Sequence, residues 1–348
     1  MPRETTTPVR DSVRAALVGA GRMAQTHARV LEMVPTLELR AVCDRVPEHA
    51  ARLAETAGVP VAPFEEVLTD PDIDAVILTT PTPTHARMIQ QAAAAGKHIF
   101  VEKPVAATLA EADAVVRAVA RAGVQCQVGF QRRFDPAYAE AKRAIDAGEL
   151  GKLATFRGVS RDPAPPPLDF LKSSGGLMVD LGIHDLDTMR FLVGEVAEVH
   201  AAGSVQRLPE LADYGLFDSA VATVRFENGA LGTLELGLHT AYGYEIRAEV
   251  LGEFGRLHLE MDAPLHLTRH TAEGATKRGP QGFEERFFAA YVAEFRAFAA
   301  CLLEGHPVSP DAEDAAKTLK LALAAQHALE TNQTAQVASF AEKDKVGL

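Results

Sequence analysis

The sequence has few cysteines and lacks the long apolar segments of a secreted or membrane-spanning protein. Its three cysteines, Cys43, Cys126 and Cys301, are widely spaced and contain no Cys-x-x-Cys pair, so we expect free thiols in a reducing compartment. Nothing near the N-terminus has the apolar core of a signal peptide, and no run of about 18 apolar residues predicts a membrane span. We therefore expect a cytoplasmic protein without a membrane partner.

Positive charge is also scarce. Lysine and arginine number 35 against 47 aspartates and glutamates, which gives a net charge of −12. Such a surface repels polyphosphate, so we expect no nucleic-acid partner and instead a small-molecule ligand. At 348 residues the chain exceeds a typical single domain of about 100 to 200 residues, which predicts two domains.

The first part of the chain alternates short apolar runs with alanine-rich helical patterns. The predicted strands are residues 15–18, 37–43, 75–79, 98–101 and 125–128. Strands that alternate with helices predict a doubly wound parallel sheet, and we assign it to a domain of residues 13–133.

The pattern changes after a predicted bridging helix at residues 136–147. Predicted strands follow at residues 151–161, 195–205, 218–226, 230–238, 244–251 and 255–261. Few helices accompany them, so we predict an α+β domain over residues 134–340 with a large, mostly antiparallel open sheet. Because those helices are too few to cover both faces of the sheet, we expect a homo-oligomer, either a dimer or a tetramer.

A glycine-rich turn follows the first predicted strand and opens a helix. Gly19, Gly21 and Ala24 fit the dinucleotide fingerprint G-x-G-x-x-G/A of a Rossmann fold. Asp44 ends the next strand, where an acidic side chain bonds the ribose 2′-hydroxyl of NAD and repels the 2′-phosphate of NADP. The combination predicts NAD as the cofactor, although Arg45 could contact adenine or a phosphate.

Two further strand ends carry polar residues at the edge where doubly wound sheets bind ligands. Thr80 and Pro81 end the third predicted strand, and His85 follows as either a cofactor contact or a structural residue of a helix. Lys103 precedes Pro104 at the end of the fourth strand. It is either a solvated strand-end lysine or a cationic donor whose pKa desolvation would lower toward a catalytic range.

Asp180 and His184 are four residues apart on a predicted helical segment, which places them on one face. A carboxylate there can orient the imidazole and stabilise its protonated form, as proton removal from an alcohol requires. A structural pair and a metal site are the alternatives. We predict no metal, because no third or fourth ligand stands at a standard spacing.

In order and spacing, these motifs resemble the glucose-fructose oxidoreductase/inositol dehydrogenase/rhizopine-catabolism (Gfo/Idh/MocA) family from about Val13 to Val337. The similarity includes Glu102-Lys103-Pro104 and the Gly175-Gly176 segment with Asp180 and His184. Within the family, residues 129–136, 160–163 and 242–244 are similar to those of inositol 2-dehydrogenases.

The resemblance implies a catalytic trio of Lys103, Asp180 and His184, and substrate contacts from Lys103, Arg132, Asp162, Asp180, His184 and Tyr244. The residues expected to contact the cofactor are Gly19, Gly21, Arg22, Met23, Asp44, Arg45, Thr80, Pro81, His85, Glu102 and Lys103. Ser160 and Asp162 differ from the His and Asn of some inositol dehydrogenases, which leaves the particular polyol open.

The predicted function is therefore NAD-dependent oxidation of a ring hydroxyl of inositol, either myo-inositol or a stereoisomer, to the keto-inositol. Two alternatives remain at this point. One is a dehydrogenase of glucose or another sugar, and the other is a regulatory protein that binds a dinucleotide without turnover.

Overall fold

A five-stranded parallel sheet forms the first part of the fold in the computed structural model, which describes residues 11–260 and 268–341. Its strands are β1 (Val13–Val18), β2 (Leu37–Cys43), β3 (Ala75–Leu78), β4 (His98–Glu102) and β5 (Cys126–Gly129). The helices between them are α1 (Arg22–Leu31), α2 (Pro47–Ala57), α3 (Phe64–Thr69), α4 (His85–Ala94) and α5 (Leu109–Ala122).

The strand order is β2-β1-β3-β4-β5, and every neighbouring pair is parallel. All residues of β3 and β5 are buried, as expected for strands that are covered on both faces. Strand order reverses at β1, and ligands of such sheets bind beyond the carboxyl ends of the strands at that point. The predicted parallel Rossmann sheet is confirmed.

A seven-stranded sheet forms the second part. Its strands are β6 (Leu153–Arg161), β7 (Val196–Ser204), β8 (Ser219–Phe226), β9 (Leu231–Gly237), β10 (Glu245–Gly252), β11 (Arg256–Leu259) and, near the end of the chain, β14 (Ala335–Gln336). A separate hairpin consists of β12 (Arg269–Thr271) and β13 (Gly274–Thr276). The helices in this half of the chain are α6 (Pro136–Asp146), α7 (Leu168–Ser173), α8 (Leu177–Asp180), α9 (Ile183–Leu192), α10 (Phe283–Glu304) and α11 (Ala312–Thr331).

The order in this sheet is β11-β10-β6-β9-β8-β7-β14, and β6 with β9 is its parallel pair. The other pairings are antiparallel, which confirms the predicted mostly antiparallel sheet. Residue 261, at the end of the strand predicted over 255–261, lies outside the described residues.

One face of the seven-stranded sheet is packed and the other is open. Along β8 buried and non-buried residues alternate, and Val221 on the open face is 53% exposed. The packed face is tightly filled: a Cβ at Gly182 would lie 2.9 Å from Cδ1 of Leu236 in β9, and a Cβ at Gly203 would lie 2.7 Å from Cδ1 of Leu329 in α11. A side chain at either position would therefore force these neighbours to shift.

Contacts divide the described chain into two compact units. The first consists of residues 11–103, 114–129 and 291–312, and the second of residues 104–113, 130–260, 268–290 and 313–341. Residues 291–312 join the first unit from far along the chain, where Val128 N donates to Pro310 O at 3.0 Å. The predicted domain limits, 13–133 and 134–340, remain predictions.

No helix within residues 11–260 and 268–341 combines the length and the apolar character that a membrane crossing requires.

Candidate active site

The glycine-rich turn between β1 and α1 has the backbone shape that a pyrophosphate site needs. Gly19 has a φ of 103°, and a Cβ there would lie 2.6 Å from Oγ1 of Thr79 and 3.0 Å from its backbone carbonyl carbon. Gly21 caps α1 without a side-chain hydrogen bond, and no atom lies within 4 Å of the position that its Cβ would take. The first amides of this ten-residue helix thus face a cradle that admits a phosphate, so the turn fits a dinucleotide.

Asp44 lies at the end of β2 and is tied to this turn. Its Oδ2 accepts a hydrogen bond from Ala20 N, and its Oδ1 accepts one from Val46 N, both at 2.7 Å. The carboxylate is half-buried, so it links the two strand ends and still reaches solvent. The predicted ribose contact of Asp44 stays a prediction. Arg45 and Arg22 are exposed and Met23 is half-buried.

The loop after β3 is held by its own side chains. Thr84 Oγ1 donates to Oγ1 of Thr80 at 2.7 Å, and His85 Nε2 donates to the carbonyl oxygen of Thr80 at the same distance. His85 is 1% exposed, whereas Pro81 is exposed and Thr80 half-exposed. His85 thus fixes the shape of the loop that carries Thr80 and Pro81. Its direct contact with a cofactor stays a prediction.

Glu102 is the last residue of β4. Lys103 follows it and ends the first of the three chain segments that form the first unit. Glu102 Oε1 accepts a hydrogen bond from His27 Nε2 at 2.6 Å. The His27 ring is fully buried between the edges of aromatic rings, with centroid distances of 4.9 Å to Phe295 and 5.9 Å to Phe100. A buried imidazole from α1 therefore fixes the carboxylate next to Lys103. Sequence analysis did not single out His27.

In the second unit, Asp180 ends α8 and His184 is the second residue of α9. The predicted helical segment consists of two short helices. Leu181 and Gly182, which join them, also have helical φ and ψ angles. Over the described residues 177–190, Asp180 and His184 are half-exposed and the other residues are buried. The acid and the histidine are thus the polar groups that this stretch presents outward.

Arg132 lies in the 3₁₀ turn Gln131–Phe134 and is 2% exposed. Its Nη1 donates to Asp185 Oδ1 at 2.7 Å, and its Nη2 donates to Ser160 Oγ at 3.0 Å. Ser160 Oγ in turn donates to Asp185 Oδ2 at 2.6 Å, which closes the triad. The predicted substrate contact of Arg132 remains a prediction, and its observed partners are protein groups.

The next arginine repeats this arrangement. Arg133 donates from Nε and Nη2 to both carboxylate oxygens of Asp187, at 2.8 and 2.6 Å, and its Nη1 lies 2.6 Å from Asp314 Oδ2. Sequence analysis missed Asp185 and Asp187. Their signal was two carboxylates two residues apart in a predicted helix, matched by an arginine doublet upstream.

Tyr244 is half-exposed and lies in the electrostatic field of the residues predicted to surround the substrate. Burial raises the pKa of the Tyr244 phenol, the positive charge of Arg132 opposes that rise, and the negative charge of Asp162 adds to it. The hydroxyl is therefore neutral near pH 7 and can donate a hydrogen bond. Within this unit the fold brings Arg132 and Asp162 close enough to Tyr244 to act on its charge, and the predicted substrate contacts of the three residues stay predictions.

Comparison with known proteins decides the family. The profile of the oxidoreductase family with an NAD-binding Rossmann fold matches residues 13–130, and the profile of the GFO/IDH/MocA C-terminal domain matches residues 138–258. The chain belongs to the Gfo/Idh/MocA family. As a member it is an oxidoreductase with an NAD-binding domain, which confirms the predicted cofactor.

The family relatives include proteins that act on inositols. The chain is 41% identical to scyllo-inositol 2-dehydrogenase (NAD(+)) of Bacillus subtilis (strain 168), over 93% of this chain and 96% of that protein. It is 35% identical to myo-inositol 2-dehydrogenase of Thermotoga maritima, over 93% of this chain and 98% of that protein.

Solved structures of dehydrogenases have a fold similar to that of this chain. A scyllo-inositol dehydrogenase from Lactobacillus casei with bound NAD(H) and scyllo-inositol matches with a TM-score of 0.89 and 32% identity, over 94% of this chain and 100% of that one. A probable dehydrogenase from Thermotoga maritima matches with a TM-score of 0.90 and 34% identity, over 94% of this chain and 99% of that one.

Proposed function

We propose that this protein oxidises a ring hydroxyl of inositol to the keto-inositol with NAD. The observation that carries the proposal is the half-exposed pair Asp180 and His184 on an otherwise buried helical stretch, in a family whose members include inositol 2-dehydrogenases. NAD, when bound, accepts the hydride of the carbinol carbon. The protein supplies orientation and proton transfer.

We assign His184 as the base that takes the hydroxyl proton, because the residue is half-exposed and lies one helical turn from the carboxylate of Asp180. Asp180 would orient the imidazole and stabilise it once it is protonated. Lys103 would hold the substrate oxygen with its ammonium group, which stabilises negative charge developing there.

The remaining polar groups suit a polyhydroxylated ring. Tyr244 offers a neutral phenol as donor, and Asp162 offers a half-exposed carboxylate as acceptor. In the first unit, the glycine turn, Asp44 and the Thr80-Pro81 loop would hold the dinucleotide. Arg22, Met23, Arg45 and Glu102 complete the proposed cofactor contacts.

An assay panel tests the activity. Scyllo-inositol, myo-inositol and glucose, each with NAD and with NADP, are followed by the absorbance of the reduced cofactor. We expect the highest kcat/KM with an inositol and NAD. Higher kcat/KM with glucose would identify a sugar dehydrogenase, and NAD binding without turnover of any polyol or sugar would identify the non-catalytic regulator.

We also propose a homo-oligomer that assembles through the open face of the seven-stranded sheet and has no nucleic-acid partner. Val221, Leu231 and Leu251, on three strands of that sheet, are 53, 48 and 41% exposed, and a second copy of the chain would cover them. Light scattering at micromolar concentration should give a dimer or tetramer. A particle of 37.2 kDa would contradict assembly.

We place the protein in the cytoplasm, in keeping with the free thiols of Cys43, Cys126 and Cys301. Cell fractionation tests this location.

A further inference from the structure

Arg132, Asp185 and Ser160 form a closed, buried hydrogen-bonded triad that joins three elements of the second unit. Arg132 comes from the 3₁₀ turn before α6, Ser160 from β6 and Asp185 from α9. Their exposed fractions are 2, 0 and 1%. The guanidinium also lies over the Phe287 ring, 5.7 Å from its centroid.

A buried ion pair of this kind is a poor source of stability. Removing two charges from water costs several kcal/mol per ion, and apolar replacements of similar volume are often neutral or stabilising. What a closed triad does supply is a fixed geometry, because its three hydrogen bonds hold the 3₁₀ turn, β6 and α9 in register with one another. The position of Asp185 in the chain indicates which geometry is fixed.

Asp185 directly follows His184 in α9. The Asp185 side chain is buried in the triad, and the neighbouring His184 side chain is half-exposed. Successive residues of a helix point about 100° apart, so a fixed Asp185 sets the rotation of the first turn of α9 and with it the direction of the imidazole.

We propose that Arg132, Asp185 and Ser160 are positioning residues for His184, an inference that rests on the proposed function in which His184 is the base. Arg132 contributes through Asp185, to which its Nη1 donates a hydrogen bond at 2.7 Å. A mispositioned base lowers the rate of the chemical step more than it weakens substrate binding.

A double-mutant cycle separates positioning from a structural role. Asp185→Asn keeps the shape of the side chain and removes its charge. It should lower kcat by roughly ten to a hundredfold and change KM by less than about threefold. In a His184→Ala background the same substitution should change kcat by less than about twofold, because the base it orients is gone. An equal loss in both backgrounds would overturn the proposal.

Two further variants keep the test decisive if Asp185→Asn does not fold. Ser160→Ala removes one bond of the triad and should lower kcat in the same direction by a smaller factor. The double replacement Arg132→Met with Asp185→Leu should preserve the melting temperature and still lower kcat. Unchanged kcat in both proteins would contradict positioning.

The matched control is Glu195→Gln. Glu195 pairs with Arg190 at the other end of α9, at 2.7 Å, and is not part of the proposed site. Loss of this ion pair should leave kcat unchanged.

Failure of the proposed function would give a different result, because the wild-type protein would then not oxidise any inositol with NAD. A wild-type protein that is active and sensitive to His184→Ala, but insensitive to Asp185→Asn, would refute the positioning role alone.

Discussion

The two units present different kinds of groups as candidate ligand contacts. In the first unit, the predicted dinucleotide contacts are mainly backbone amides and short side chains at strand ends, around Gly19 and Gly21. In the second unit, buried ion pairs join Arg132 and Arg133 to Asp185 and Asp187 of α9, the helix that also carries His184.

The difference has a physical basis. A backbone site depends on φ angles and on the absence of a Cβ, which leave glycines in the sequence at fixed spacing. A site made of charged side chains depends on partners brought together from distant segments. We expect substitutions in the first unit to alter cofactor binding, and substitutions in the second unit to alter the chemical step.

The largest effect should come from the proposed base. His184→Ala should lower kcat by roughly a hundred to ten thousandfold, the usual range for a general base, and leave the Kd for NAD near the wild-type value. Calorimetry of NAD binding and steady-state kinetics check the two quantities separately, and circular dichroism establishes folding. A weaker NAD affinity with unchanged kcat would contradict the assignment of the chemical step to the second unit.

Lys103→Ala should be the exception to this difference between the units, because Lys103 lies in the first unit but is proposed to act in the chemical step. Its kcat should fall by a similar factor, because an uncharged side chain cannot stabilise negative charge on the substrate oxygen. Lys103→Arg is the matched control that keeps the charge. Full activity of Lys103→Ala would remove this lysine from the chemistry and favour the non-catalytic regulator.

The next effect concerns the choice of cofactor. Asp44→Ser should reduce the preference for NAD over NADP by roughly ten to a hundredfold in kcat/KM, since repulsion of a 2′-phosphate is worth about 1 to 3 kcal/mol. Asp44→Asn is a companion variant that removes the charge but keeps only one of the two acceptor oxygens, so either Ala20 N or Val46 N loses its partner. If wild-type kcat/KM is equal with NAD and NADP, the assignment of Asp44 to the ribose is wrong.

A smaller effect distinguishes the two glycines of the turn. Gly19→Ala should lower the free energy of unfolding by about 1 to 3 kcal/mol, because it forces a φ of 103° on a residue with a Cβ that meets Thr79. Gly21→Ala has open space and should leave stability nearly unchanged while it weakens NAD binding. Urea unfolding and NAD titration of both proteins measure this contrast. Equal unfolding free energies would count against strain at Gly19.

The smallest effect is a pH dependence in the second unit. Burial would raise the pKa of Asp314, but the positive charges of Arg133 and Arg190 outweigh it and hold that pKa below its usual value. A lowered pKa in the folded state adds stability above the unfolded value of about 3.9, and this contribution is lost as pH falls through the folded pKa.

We therefore expect Asp314→Asn to melt a few degrees lower than the wild-type protein at pH 7, with the gap narrowing below about pH 4. Thermal melts across this pH range measure the gap. The exposed Asp146, which pairs with Lys142 on α6, is the control position for Asp→Asn. A gap that does not change with pH would argue against the charge effect.

Much of the architecture follows from the sequence alone. The periodicity of apolar residues predicts the five strands of the parallel sheet, the strands of the other large sheet except β14, and the bridging helix α6, all to within about two residues. Burial against a sheet needs that period. Gly19, Gly21 and Asp44 predict the dinucleotide turn for the same local reason. The short helices α7 and α8 escaped prediction, since one or two turns beside a proline-rich run give no periodic signal.

The site residues also divide into those that the sequence predicts and those that only the folded structure identifies. Sequence spacing by itself determined that Asp180 and His184 share a helical face, because an interval of four residues is a property of the helix. Only the tertiary structure decided that Glu102 is held by His27, that Arg132 is committed to Asp185 and Ser160, and that residues 291–312 pack with the first unit. These contacts join segments up to hundreds of residues apart, and their energy depends on burial and distance, which only the folded chain fixes.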